Sequence, residues 1–120
     1  MRVAIPSETD AGLESMRSGH FGHCPYFTIC TIEDGQITKV ESVKNVEHDA
    51  VGCGGVIDFA CTLNLDAILT IGMGQPPFMR FTQAGIDVYR EGMFAKVGDA
   101  AAAFAAGKCV RMSLDEACAH

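Results

Sequence analysis

Soft metal donors cluster in the segment Ser18-Gly-His-Phe-Gly-His-Cys-Pro-Tyr-Phe27, which carries the imidazoles of His20 and His23 and the thiol of Cys24. A second group, His48 and Cys53, lies in Glu47-His-Asp-Ala-Val-Gly-Cys-Gly-Gly55. Imidazole and thiolate favour transition metals and metal–sulfide clusters over magnesium or calcium. Glycines surround both groups, so the donors ride on turns. The chemistry requires that the fold bring these two turns together.

Helix starts supply the other half of a site. Two glycine-rich turns, Val51–Gly55 and Gly72–Pro76, lead into helical patterns. A helix start presents unpaired N–H groups and the positive end of a dipole, which together attract anions. Gly54, Gly72 and Gly74 would let a ligand approach the backbone closely. At such a start the thiolate of Cys53 is favoured over the thiol. The metal-ligating candidates are His20, His23, Cys24 and Cys53; His48, Gly54, Gly72 and Gly74 complete the candidate pocket. Each has a plainer reading: a loop histidine bonded to backbone, a small apolar cysteine opening a strand, or His48 paired with Glu47 or Asp49.

The remaining soft residues read as packing. Cys30 and Cys61 fall inside a predicted strand and a predicted helix, where a free cysteine behaves as a small hydrophobe. Met73, Met79, Phe78 and Phe81 are expected in the core, and Cys109 and Cys118 to be structural or exposed. None of the six cysteines forms a C-x-x-C pair. A zinc knuckle, a thioredoxin-type dithiol and a ferredoxin run are therefore poorly supported.

The elements follow from periodicity. Arg2–Pro6 reads as a strand, residues 7–22 as a loop. Tyr26–Ile32 and Ile37–Val43 read as a hairpin closed by Asp34-Gly35. Val56, Ile57, Phe59, Ala60 and Leu63 recur at helical spacing. Ala67–Ile71 is a continuous apolar run, as in a buried parallel strand. Pro76 and Pro77 suit a helix start and Gly85 its end. Ile86–Tyr89 is a further strand, 94–106 an alanine-rich helix, and Ser113-Leu-Asp-Glu116 a capping box for a terminal helix. The expected fold class is α/β: one mixed sheet of about five strands, an antiparallel hairpin joined to a βαβαβ half, with helices packed on it. One domain over 1–120 is expected.

Bulk properties exclude some functions. The chain has 120 residues, is 48% hydrophobic and carries a formal charge of -6. Nine scattered Lys and Arg give no basic stripe, so nucleic acid is not an expected partner. No apolar run approaches the roughly 18 residues of a membrane span. The start turns polar too soon for a secretory signal. A cytoplasmic protein, monomer or weak homodimer, with no membrane partner, is the expectation. A two-metal nuclease needs clustered carboxylates, whereas Arg2–Pro6 holds no acid and Asp58 and Asp66 stand apart.

Several blocks resemble the dinitrogenase iron–molybdenum cofactor biosynthesis family. They are Ser18–Phe27, Gly52-Cys-Gly-Gly55 with its helix, Ile71-Gly-Met-Gly74, and Ala84-Gly-Ile-Asp-Val88, in order along nearly the whole chain. The resemblance implies a ribonuclease H-like domain that carries an iron–sulfur or iron–molybdenum type cluster without catalysis, and donor and acceptor proteins for that cluster. His20 falls on the signature histidine. His23 and Cys24 depart from the pattern of many members, where an Arg and a small residue stand. Such clusters are anionic, and screening beyond about 8 Å limits their repulsion by the net charge. Arg17 and Lys44 are expected local helpers. The alternatives are a small regulatory module holding a divalent ion such as zinc, and a thiol redox protein using Cys53.

Overall fold

The computed structural model describes residues 1–19, 24–46, 55 and 57–112. The strands are β1 (Arg2–Ser7), β2 (Tyr26–Glu33), β3 (Gln36–Lys44), β4 (Ala67–Thr70), β5 (Asp87–Arg90) and β6 (Val110–Arg111). The helices are α1 (57–61), α2 (Gln75–Gln83) and α3 (Val97–Ala105), with a short 3-10 turn at Gly12–Glu14. The sheet order is β3-β2-β1-β4-β5-β6. β1, β4 and β5 run parallel, while β2, β3 and β6 run antiparallel to their neighbours. This is the expected hairpin joined to a βαβαβ half, with one strand more than expected.

Side-chain alternation divides the core into two layers, one on each face of the sheet. Ala4, Phe27, Ile29, Ile68 and Val88 meet Ile57, Ala60 and Phe81 on the face covered by α1 and α2. Val3, Ile5, Cys30, Ala67 and Leu69 meet Val97, Ala100, Ala101 and Phe104 of α3 on the other. Tyr89 of β5 and Phe104 of α3 lock edge to face, 4.9 Å between ring centres. The β2–β3 turn places Asp34 at φ 52 and Gly35 at φ 76, the doubly left-handed geometry that Asp-Gly tolerates.

The structure corrects some expectations. Residues 8–18 are not a free loop: Ser7 bridges Arg17 and Met16 bridges Lys96, so the segment is strapped onto the residues before α3. That helix starts at Val97 rather than 94 because Lys96 is extended and serves as its N-cap. Cys61 is exposed at the end of α1, not in the core. Met79 is 42% exposed on α2, also outside the core. Cys30, Met73 and Phe81 are buried as expected, and Phe78 packs against the layer that holds Met73 and Phe81. The expected helix at Ser113–Glu116 and Cys118 lie outside the described residues.

Candidate metallocluster site

Strand polarity puts every connection of interest at one edge. Ser7 of β1 is opposite Tyr26 of β2, which is opposite Lys44 of β3. Thr70 of β4 is opposite Arg90 of β5, and β4 runs parallel to β1. The chain therefore leaves β1, β3, β4 and β5, and enters β2, at the parallel carboxyl edge of the sheet, where open α/β sheets bind ligands. Both segments that contain the soft donors start from this edge.

His20, His23, His48, Cys53 and Gly54 lie outside the described residues. Their stems do not. The N–H of Asn45 donates to the carbonyl of Pro25 at 2.9 Å, extending the β2–β3 ladder by one step. Its side chain then crosses to Cys24: Nδ2 is 2.8 Å from the Cys24 carbonyl oxygen and 3.5 Å from Sγ. The stems at Cys24 and Asn45 are thus fastened side by side.

Cys24 itself is not an open ligand in this structure. It is 2% exposed and belongs to the core layer under α1 and α2. Burial pushes its thiol up to about 12, outweighing the hydrogen bond from Asn45 and one from the Ser7 backbone, which favour the thiolate. At neutral pH it is a protonated packing group beneath the edge. Among the described residues, no three His, Cys, Asp or Glu side chains group to hold a metal.

The turn after β4 meets the expectation in part. The hydroxyl of Thr70 donates to the carbonyl of Gly72 at 2.9 Å, shaping the turn. Gly74 caps α2 at φ -71 and ψ 168, ordinary extended geometry, and the first helical bond runs from Phe78 N–H to the Gly74 carbonyl at 3.2 Å. Pro76 and Pro77 have no N–H, so two of the amides a helix start normally offers are missing. Ahead of the two prolines, Gly72, Met73, Gly74 and Gln75 each carry a backbone N–H.

The two expected cationic helpers divide. Lys44 is exposed at the end of β3, beside both stems. Arg17 is withdrawn: its side chain is 1% exposed and its Nη1 lies 2.6 Å from Glu91 Oε1 and 3.1 Å from the Phe94 carbonyl. Glu91 neutralises it, so it offers no free charge to a ligand. Its Nε and Nη2 are buried and have no hydrogen-bond partner among the described residues. Sequence reasoning missed Asn45 altogether; an asparagine directly after a β-strand and beside a soft-donor segment was the available signal.

The profile of the dinitrogenase iron–molybdenum cofactor family matches residues 1–107. The chain belongs to that family. A relative in Methanocaldococcus jannaschii, the uncharacterized protein MJ0580, is 30% identical over 92 residues, 75% of this chain and 74% of its own. Among solved structures, PH0822 is 34% identical with a TM-score of 0.78, covering 93% of this chain and 96% of its own. A Thermotoga protein carrying a provisional NifB assignment is 33% identical, TM-score 0.73, over 92% of this chain and 91% of its own. The apo orange protein of Desulfovibrio gigas shares the fold at 20% identity, TM-score 0.76, over 93% and 92% of the two chains. Among the described residues, no helix is long and apolar enough to cross a membrane.

Proposed function

We propose that the protein is a non-catalytic carrier of an iron–sulfur or molybdenum-containing cluster, received from a donor protein and delivered to an acceptor. The observation that carries this reading is the clamped pair of stems. Cys24 and Asn45 start the two soft-donor segments from one point on the carboxyl edge of the sheet. The family membership supports the class of cargo.

The donor set fits such a cargo. In this reading His20, His23 and Cys53 are the metal-facing groups, with His48 beside them. Cys24 stays beneath as a packed stem residue. Backbone amides at Gly54, Gly72 and Gly74 face the sulfide edge of the cluster, where N–H donors stabilise negative charge. Lys44 adds the nearby cation. A set of donors carried on turns holds a cluster more loosely than a closed four-ligand cage, which is what hand-over to another protein needs. The cluster is cargo, and no bond of it need be broken by the chain.

The test is composition. Protein isolated without oxygen should contain iron or molybdenum together with acid-labile sulfide, and should lose both to an apo-acceptor without loss of fold. Zinc alone, with no sulfide, would replace this reading with the divalent-ion module. A Cys53 disulfide forming reversibly at a defined potential, with no metal, would replace it with the redox protein.

A further inference from the structure

We propose that Asn45 is the positioning residue that sets the spacing of the two soft-donor segments; this rests on the carrier reading. Asn45 is 7% exposed, and every polar atom of its side chain is engaged. Its Nδ2 donates to the Cys24 carbonyl at 2.8 Å and approaches Sγ at 3.5 Å. Its Oδ1 accepts the Val46 N–H at 2.8 Å. Its backbone N–H donates to Pro25 at 2.9 Å. The donor end therefore grips the segment that carries His20 and His23, and the acceptor end fixes the segment that leads to His48 and Cys53.

The placement makes the bond matter. Regular β2–β3 pairing ends at Tyr26 and Lys44. Beyond that pair, Asn45 continues the linkage with its N–H to Pro25 and its Nδ2 to Cys24. His23 precedes Cys24 directly, and His48 follows Val46 by two residues. Along the chain, His23 is thus one residue from the clamp at Cys24 and His48 three residues from Asn45. The link is buried, where water cannot replace a lost partner.

Only asparagine supplies both ends at this length. Aspartate keeps the acceptor for Val46 but has no donor for Cys24, and sets a carboxylate against a carbonyl oxygen. Leucine supplies neither end. Glutamine carries the same groups one methylene farther out.

Asn45→Asp tests this with two readouts. The first needs no cluster: anaerobic alkylation of each thiol, followed by peptide mass. Cys24 should react at least tenfold faster in the variant. Cys30, fully buried on the opposite face of β2, should keep its rate. A merely structural role would raise both rates together through global opening. The second is retention of an iron–sulfur cluster assembled anaerobically from ferrous iron and sulfide; a ferrous chelator should strip it at least tenfold faster from the variant. If Asn45→Asp does not fold, Asn45→Ala, which removes both ends, replaces it in both readouts. Equal acceleration at Cys24 and Cys30, no acceleration at Cys24, or unchanged cluster retention would each overturn the assignment. Wild-type protein that takes up no cluster would overturn the carrier reading instead, while the alkylation ratio still judges the clamp.

Discussion

Arg17 and Glu91 form an enclosed ion pair, Nη1 to Oε1 2.6 Å, with the two side chains 1% and 9% exposed. The pair fastens the strapped segment after β1 to the turn after β5. Glu91 also accepts the N–H of Met93 at 2.8 Å, so one carboxylate organises both chains. Glu91 follows β5 at the same edge of the sheet from which the soft-donor segments leave.

Removing one partner strands the other. Glu91→Ala leaves a buried guanidinium with no counter-charge and should cost about 3–5 kcal/mol. Arg17→Met combined with Glu91→Leu should recover most of that loss. By contrast, Lys96→Ala, which removes the exposed pair with Glu14 at 3.5 Å, should cost less than about 1 kcal/mol. Urea unfolding of the four proteins gives the comparison. A Glu91→Ala cost no larger than that of Lys96→Ala would show that the pair does not hold the strap.

Gly98 has a steric role that opposes its helix propensity. A Cβ there would meet the Leu13 carbonyl oxygen at 2.9 Å and the Leu13 Cβ at 3.3 Å. In an open helix Gly→Ala gains about 1 kcal/mol. Here the overpacking term of about 1–3 kcal/mol should exceed it. Gly98→Ala should therefore lower the unfolding midpoint, and a raised midpoint would mean that the 3-10 turn shifts freely away from α3.

Stability should fall in mild alkali. Burial raises Cys24 to about 12 and Cys30 to about 11, both from an ordinary 9.0. Above pH 9 the unfolded chain releases these protons while the folded chain keeps them. The unfolded state then binds fewer protons, so stability decreases as pH rises, up to the folded values. The two thiols together should cost about 3 kcal/mol at pH 10 relative to pH 7. Cys30→Val should remove about half of that dependence. The measurement is urea unfolding in reductant at pH 7, 9 and 10; identical pH slopes for the variant and the parent would contradict the assignment.

What the sequence disclosed depended on how local the cause was. The Asp34-Gly35 turn is readable because its left-handed pair of residues is a property of those two residues. The strand at Ala67–Thr70 is readable because burial on both faces calls for consecutive apolar residues, here Ala67, Ile68 and Leu69. The strap at Met16 and Arg17 is not readable, since its bridges reach Lys96 and Ser7 across the fold. β6 is two exposed residues long and has no period to detect. Cys61 was expected inside because the helical pattern continues past it, but α1 ends there.

The site was legible as chemistry and not as geometry. Residue types at 20, 23, 48 and 53 announce soft donors, and the strand order brings their stems to one edge. Cys24 is buried in the core layer it shares with Ile57, Ala60 and Phe81, which no neighbour in sequence reveals. The capture of Arg17 by Glu91 is equally long-range. Pro76 and Pro77 were in view from the start; they mark the start of α2 and also subtract amides from it.

The central claim is that His20, His23 and Cys53, raised on adjoining stems, hold one cluster. It is tested most directly by anaerobic reconstitution with ferrous iron and sulfide in the parent and in a variant carrying His20→Ala, His23→Ala and Cys53→Ala. The parent should develop a sulfide-to-iron charge-transfer band in visible light, and the variant should develop none while keeping its fold by circular dichroism. The same band at the same intensity in the variant would contradict the account.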